Sequence, residues 1–144
     1  MDFLKKTFKS EDFKSGIVFI VEDNPFYGRA LQGYIEECFP EIKEVKIFPV
    51  GETCLLELGR NPDVIIMDYF LDTKHSNAGT GLDMIKKIRT QKPKMNIILL
   101  SAKEETAFLL EAAKKYNCSY IRKDESAFLK VQEVLKEFGL AAHG

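Results

Sequence analysis

The sequence predicts a doubly wound α/β domain built on a parallel sheet, and three observations carry that prediction. Short apolar, β-branched runs recur along the chain at Ile17–Glu22, Val45–Phe48, Asp63–Asp68, Asn96–Leu100 and Ser119–Arg122. Stretches with apolar residues at helical spacing separate these runs and follow the last of them. The longer runs, such as Val64-Ile65-Ile66-Met67, are apolar at every position rather than every second one. That is the pattern of a strand covered on both faces of a parallel sheet. Strands alternating with helices in this way imply right-handed crossovers.

Each element has its own reason. Met1 to Ser15 is a lysine-rich preface whose apolar residues Phe3, Leu4 and Phe8 stand at helical spacing. It reads as an extension outside the domain. The run Ile17–Glu22 is the first strand. Pro25 opens a helix whose apolar positions Phe26, Ala30, Leu31, Tyr34, Ile35 and Cys38 are expected to share one face, and Pro40 ends it. Val45–Phe48 is a short second strand, followed by a short helix marked by Cys54, Leu55 and Leu58. Asn61-Pro62 punctuates before the third strand, Asp63–Asp68. A polar stretch, Asp72–Thr80, precedes a helix carrying Leu82, Ile85 and Ile88, with Lys86, Lys87 and Arg89 expected to face outward. Lys92-Pro93 breaks the chain before the fourth strand. The helix Glu104–Tyr116 carries Phe108, Leu109, Ala112, Ala113 and Tyr116. After the fifth strand, Phe128, Val131, Leu135 and Phe138 stripe the last helix.

At 144 residues the chain fits one domain, and its 45% hydrophobic content suffices for a core. The expected division is an N-terminal extension over 1–15, the domain over 16–138 and a tail over 139–144. A net charge of -1 argues against the basic surface of a nucleic-acid binder. No apolar run approaches a membrane span, and the N-terminus Met-Asp-Phe-Leu-Lys-Lys lacks the apolar stretch of a signal peptide. Cys38, Cys54 and Cys118 lack metal-type spacing and read as reduced thiols of a cytoplasmic protein.

Ligands of such sheets bind outside the carboxyl ends of the strands. The residues there are Glu22 and Asp23 after the first run, Asp68 ending the third, Ser101 after the fourth and Lys123 after the fifth. Alone, any one of them is more often a helix cap or a solvated loop residue. Together they make a constellation. Three carboxylates on one rim repel one another unless a cation neutralises them. An all-oxygen cluster suits Mg²⁺ or Mn²⁺. A hydroxyl and an ammonium nearby offer a phosphoryl group a hydrogen-bond donor and a positive charge, and a carboxylate can serve as its nucleophilic acceptor.

With those residues in place, the chain resembles a bacterial two-component response-regulator receiver domain from about Gly16 to Phe138. The matching motifs are Val21-Glu22-Asp23-Asn24, Val64-Ile65-Ile66-Met67-Asp68, Leu99-Leu100-Ser101-Ala102 and Tyr120-Ile121-Arg122-Lys123, in the family's order and with its step from Ser101 to Lys123. The resemblance implies a flavodoxin-like, five-stranded parallel sheet in the order 2-1-3-4-5. It implies that Asp68 is the phosphoacceptor. Asp23 and Asp68 would hold Mg²⁺ (or Mn²⁺) directly, Glu22 mainly through water, and the backbone carbonyl of Phe70 would complete the set. Lys123 and Ser101 would contact phosphoryl oxygens, and Tyr120 takes the place of the family's aromatic switch. The donor would be a histidine kinase or a histidine phosphotransfer protein. Output would pass through protein contacts on the face of helix four, strand five and helix five, which includes Lys114, Lys115, Tyr120, Arg122 and Lys130. A phosphorelay role fits equally, as does a monomer or weak homodimer. Because only Gly139–Gly144 follows the fifth helix, a single-domain protein without an output domain is expected.

The chain departs from the family's usual pattern in places. Asp72 and Asp124 stand where prolines are usual, the second directly after Lys123, and the segment between Asp68 and Gly81 is longer than usual. That segment contains Lys74 and His75 and reads as a surface loop or a lid. Phe70 and Lys103 flank the phosphoryl position in the resemblance and imply slow self-dephosphorylation. Two rival readings are a receiver-like binding module without phosphorylation, and a small phosphohydrolase with an aspartyl nucleophile. The complete set Glu22, Asp23, Asp68, Ser101 and Lys123 argues against the first. Phe70, where such hydrolases carry a second acid, argues against the other.

Overall fold

The computed structural model describes residues 15–69, 81–102 and 107–140. Five strands, β1 (Ile17–Val21), β2 (Glu44–Phe48), β3 (Val64–Asp68), β4 (Ile97–Ser101) and β5 (Ser119–Arg122), form one sheet in the order β2-β1-β3-β4-β5. Every neighbouring pair is parallel. The helices among the described residues are α1 (Pro25–Cys38), α2 (Gly51–Leu56), α3 (Gly81–Gln91), α4 (Ala107–Lys115) and α5 (Ala127–Glu137), with a 3₁₀ turn at Leu58–Arg60. The expected doubly wound fold is the one observed.

Period-two geometry divides each strand between two cores. Phe19, Val21, Ile65, Met67, Ile97 and Leu99 face the layer of α2, α3 and α4. Val18, Ile20, Val64, Ile66, Ile98 and Leu100 face α1 and α5. The central strands β3 and β4 are buried at every position, which is why their sequences show no alternation.

Helix termini follow their local chemistry. Asn24 caps α1, its Oδ1 accepting from the backbone N–H groups of Phe26 (3.0 Å) and Tyr27 (3.2 Å), with Pro25 in the first turn. At the end of α5, Gly139 adopts φ 97°, and the N–H of Leu140 donates to the Leu135 carbonyl at 3.1 Å. Leu140 then packs against the core shared by α1 and α5.

Two expectations about helix faces are corrected. Phe26 (85% exposed) and Ala30 lie on the solvent side of α1. The buried face is Gly28, Leu31 and Ile35, flanked by Tyr27 and Cys38. Packing centres the buried face on the two branched aliphatics, Leu31 and Ile35, and so excludes Phe26 and Ala30 from the face the apolar spacing predicted. Arg89 does not face outward. It is half-buried and donates to the carbonyls of Tyr116 (2.7 Å), Met95 (2.6 Å) and Asn117 (3.0 Å). The planar guanidinium suits three converging carbonyls, whereas the same surface position suggested a solvated charge.

The expected N-terminal cluster of Phe3, Leu4 and Phe8 lies outside the described residues. So do Phe70, the Asp72–Thr80 segment with Lys74 and His75, Lys103, Glu104 and the Phe108 side chain. No helix of the described residues is long and apolar enough to cross a membrane.

Candidate functional site

The sheet order brings the carboxyl ends of β1, β3, β4 and β5 side by side. In register, Val21 stands beside Met67, Asp68 beside Leu100, and Ser101 beside Arg122. The strand order reverses at β1, where α1 leaves on one face and the later crossovers on the other, leaving a crevice above β1 and β3. Glu22 and Asp23 follow β1 directly, Asp68 ends β3, Ser101 ends β4 and Lys123 follows β5.

Glu22, Asp23 and Asp68 each offer a carboxylate oxygen, and these atoms lie within 4.8 Å of one another. Glu22 (2% exposed) and Asp68 (6%) are buried, while Asp23 is exposed at the rim. The all-oxygen set, partly open to solvent, fits a hard divalent cation that keeps some of its waters, Mg²⁺ or Mn²⁺. It fits no soft metal, since no thiol or imidazole takes part in this group.

Lys123 supplies the counter-charge. Its Nζ donates to Glu22 Oε1 at 2.6 Å and stands 3.3 Å from Asp68 Oδ2, with the side chain only 13% exposed. Its backbone N–H donates to the Ser101 carbonyl at 2.8 Å, which fixes the root of the side chain to the end of β4. The other oxygen of Glu22, Oε2, accepts from the Asn24 N–H at 3.2 Å. Burial nevertheless dominates the Glu22 carboxyl and, aided by the Asp68 charge, pushes its pKa up to about 7 against the pull of Lys123. Such a site gains from an added cation.

The predicted residues Glu22, Asp23, Asp68 and Lys123 therefore meet at one locus. Ser101 is fully buried at the end of the strand next to Asp68. Tyr120 is half-buried on β5, in register with Leu99, and packs against the α2, α3 and α4 core. The carbonyl of Phe70 lies outside the described residues.

Two neighbours of the site were given no role from sequence. Asn24 both caps α1 and holds Glu22. Tyr27 places its ring under the Lys123 ammonium, 4.4 Å from ring centroid to Nζ. The available signal was the position of Tyr27 in the first turn of a helix that starts immediately after paired acids.

Comparison with known proteins agrees with this geometry. The family model for the response regulator receiver domain matches residues 18–133. The isolated receiver domain of RcsB from Salmonella enterica serovar Typhimurium, solved in the presence of the phosphomimetic BeF3-, superposes with a TM-score of 0.67 at 21% identity, covering 84% of this chain and 88% of that one. The response regulator domain of Thermotoga maritima CheB gives 0.62 at 21% identity, over 85% and 92%. The N-terminal domain of an uncharacterized Wolinella succinogenes protein gives 0.68 at 25% identity, over 84% and 91%. No curated protein sequence matches the chain. The structural likenesses establish the fold, and the match over residues 18–133, which contain all of Glu22, Asp23, Asp68, Ser101 and Lys123, places the chain in the response regulator receiver domain family.

Proposed function

We propose that Asp68 accepts a phosphoryl group from a phosphohistidine of a histidine kinase or a histidine phosphotransfer protein, and that the phosphorylated domain signals through protein contacts. The observation that carries this reading is the meeting of Asp68 with Glu22, Asp23 and Lys123 at the carboxyl ends of the strands. An Asp68 carboxylate oxygen attacks phosphorus, an acyl phosphate bond forms, and the bond from phosphorus to the histidine nitrogen breaks. The imidazole leaves with the electron pair. Glu22, Asp23, Asp68 and the Phe70 carbonyl would hold Mg²⁺ or Mn²⁺, which supplies charge neutralisation for the phosphoryl oxygens. Lys123, already beside Asp68, orients and balances the same oxygens. Ser101, on the adjacent strand end, supplies a hydroxyl donor to the phosphorylated form.

Output is assigned to the face of α4, β5 and α5. Lys114, Lys115, Arg122 and Lys130 are exposed there and Tyr120 is half-buried, so a small movement of Ser101 and Tyr120 would alter that surface. The partner is a protein, or a second copy of the chain in a weak homodimer, and the compartment is the cytoplasm. Incubation with acetyl phosphate and Mg²⁺, followed by intact mass, tests the reading. The wild type gains one phosphoryl group, and Asp68→Asn gains none. Absence of any gain in the wild type, with no Mg²⁺ binding, would leave the receiver-like binding module as the better account.

A further inference from the structure

The Lys123 ammonium is held from two sides. Glu22 and Asp68 lie on one side, at 2.6 and 3.3 Å. The face of Tyr27 lies on the other, 4.4 Å from Nζ to the ring centroid, well inside the distance at which a cation is attracted to an aromatic face. The ring is itself braced. Phe128 of α5 meets it edge-on, with centroids 5.5 Å apart and planes at 72°. Phe128 in turn lies 5.4 Å from the ring of Tyr34, whose hydroxyl donates to Gln132 Oε1 at 2.8 Å. Asn24 anchors the backbone of Tyr27 through the helix cap. A fixed aromatic plate, tied to both α1 and α5, thus lies under a lysine whose flexible stem would otherwise leave its ammonium free to move. The Tyr27 hydroxyl is buried and has no hydrogen-bond partner among the described residues. Among the described residues the hydroxyl gives the ring no anchor, and the ring face is what meets Lys123.

We propose that Tyr27 is a positioning residue for phosphotransfer, its ring face holding the Lys123 ammonium against Asp68 so that the charge is in place before the phosphoryl group arrives. Two long-stemmed ions in contact do not by themselves fix one geometry, because the lysine stem has several rotamers that reach the same carboxylates. A third contact, with the ring face of Tyr27, removes that freedom. The desolvation that makes the ion pairs strong here also strengthens the attraction to the ring. The inference rests on the phosphoacceptor reading above, and its test is chosen so that the two can fail separately.

The first readout does not depend on phosphorylation. In the wild-type protein the ε-methylene protons of Lys123 resonate upfield of an ordinary lysine through the ring current of Tyr27. Tyr27→Phe keeps that shift and Tyr27→Leu abolishes it. The second readout is the rate of phosphorylation by acetyl phosphate at saturating Mg²⁺. Tyr27→Leu lowers it about tenfold, with Mg²⁺ affinity little changed, and Tyr27→Phe restores the wild-type rate. Tyr27→Phe also melts no lower than the wild type, since the buried hydroxyl it removes has no partner among the described residues. An ordinary Lys123 shift in the wild type overturns the proposal even if the leucine variant does not fold. So does a Tyr27→Phe rate as low as that of Tyr27→Leu, which would assign the effect to the hydroxyl. A wild type that takes up no phosphoryl group while keeping the upfield Lys123 signal sinks the phosphoacceptor reading and leaves the placement of the ammonium standing.

Discussion

Glu22 shows how much one buried side chain decides. Its carboxyl is pushed up to about 7, chiefly by burial, against an ordinary value of 4.5. Between those two values the folded, metal-free protein holds a proton that the unfolded chain has released. Stability therefore falls as pH rises through that window, and the loss is complete above about pH 7. A bound divalent cation favours the ionised form, so its binding competes with the proton and strengthens as pH rises. The rise in melting temperature on saturation with Mg²⁺ is then larger at about pH 8 than at about pH 5.5. Glu22→Gln flattens the fall in melting temperature of the metal-free protein across the same range. Thermal melts at both pH values check this, and equal Mg²⁺ shifts in the wild type would contradict it.

At the scale of elements, the contact between β3 and α3 sets the floor of the site. The N–H of Gly81 donates to the Tyr69 carbonyl at 3.1 Å, so the first residue of α3 touches the residue after Asp68. A Cβ at Gly81 would stand 2.9 Å from the Tyr69 Cα and nearer still to its carbonyl oxygen. Both atoms are backbone, so neither can rotate away. Gly81→Ala is expected to cost about 1–3 kcal/mol, as overpacking does, by forcing helix and strand apart. Because the displaced backbone carries Asp68, phosphorylation by acetyl phosphate slows as well. Urea midpoints and the phosphorylation rate measure the two effects, and an alanine variant unchanged in both would show that the backbone yields without cost.

For the whole molecule, the sheet is the shared wall of two cores. Ile66 lies at its centre with no exposed surface, flanked by Ile20 on β1 and Ile98 on β4. Its side chain faces α1 and α5, while those of Ile65 and Met67, its chain neighbours, face α2, α3 and α4. Neither helical layer keeps its apolar face covered without the sheet, so the two layers unfold together. Ile66→Ala is expected to cost about 2–5 kcal/mol, a large part of the stability of a domain this size. Far-ultraviolet and near-ultraviolet dichroism should still report one coincident denaturant transition. Two separated transitions would mean that the layers melt independently. The same shared wall gives β5 a path from Lys123 at the site to Tyr120 on the proposed output face.

The sequence by itself determined that strands and helices alternate, because a strand covered on both faces must be apolar throughout and β3 and β4 are written that way. It also determined that Glu22, Asp23, Asp68, Ser101 and Lys123 stand at strand ends, since an apolar run that stops at a polar residue marks its own boundary. That these ends are neighbours is a non-local fact. The residues alone placed them on one rim, and the order of strands came from the family resemblance before the sheet displayed it. Tertiary structure decided what helical periodicity misjudged, the faces taken by Phe26 and Arg89. Phe26 and Tyr27 are adjacent aromatics one helical step, about 100°, apart. Packing of α1 against β1 and β2, with Leu31 and Ile35 in the core, sets its rotation, turning Phe26 into solvent and Tyr27 under Lys123. Arg89 follows the same rule, because two of the carbonyls that receive it, those of Tyr116 and Asn117, come from 27 and 28 residues further along the chain, and only the folded arrangement brings them within its reach.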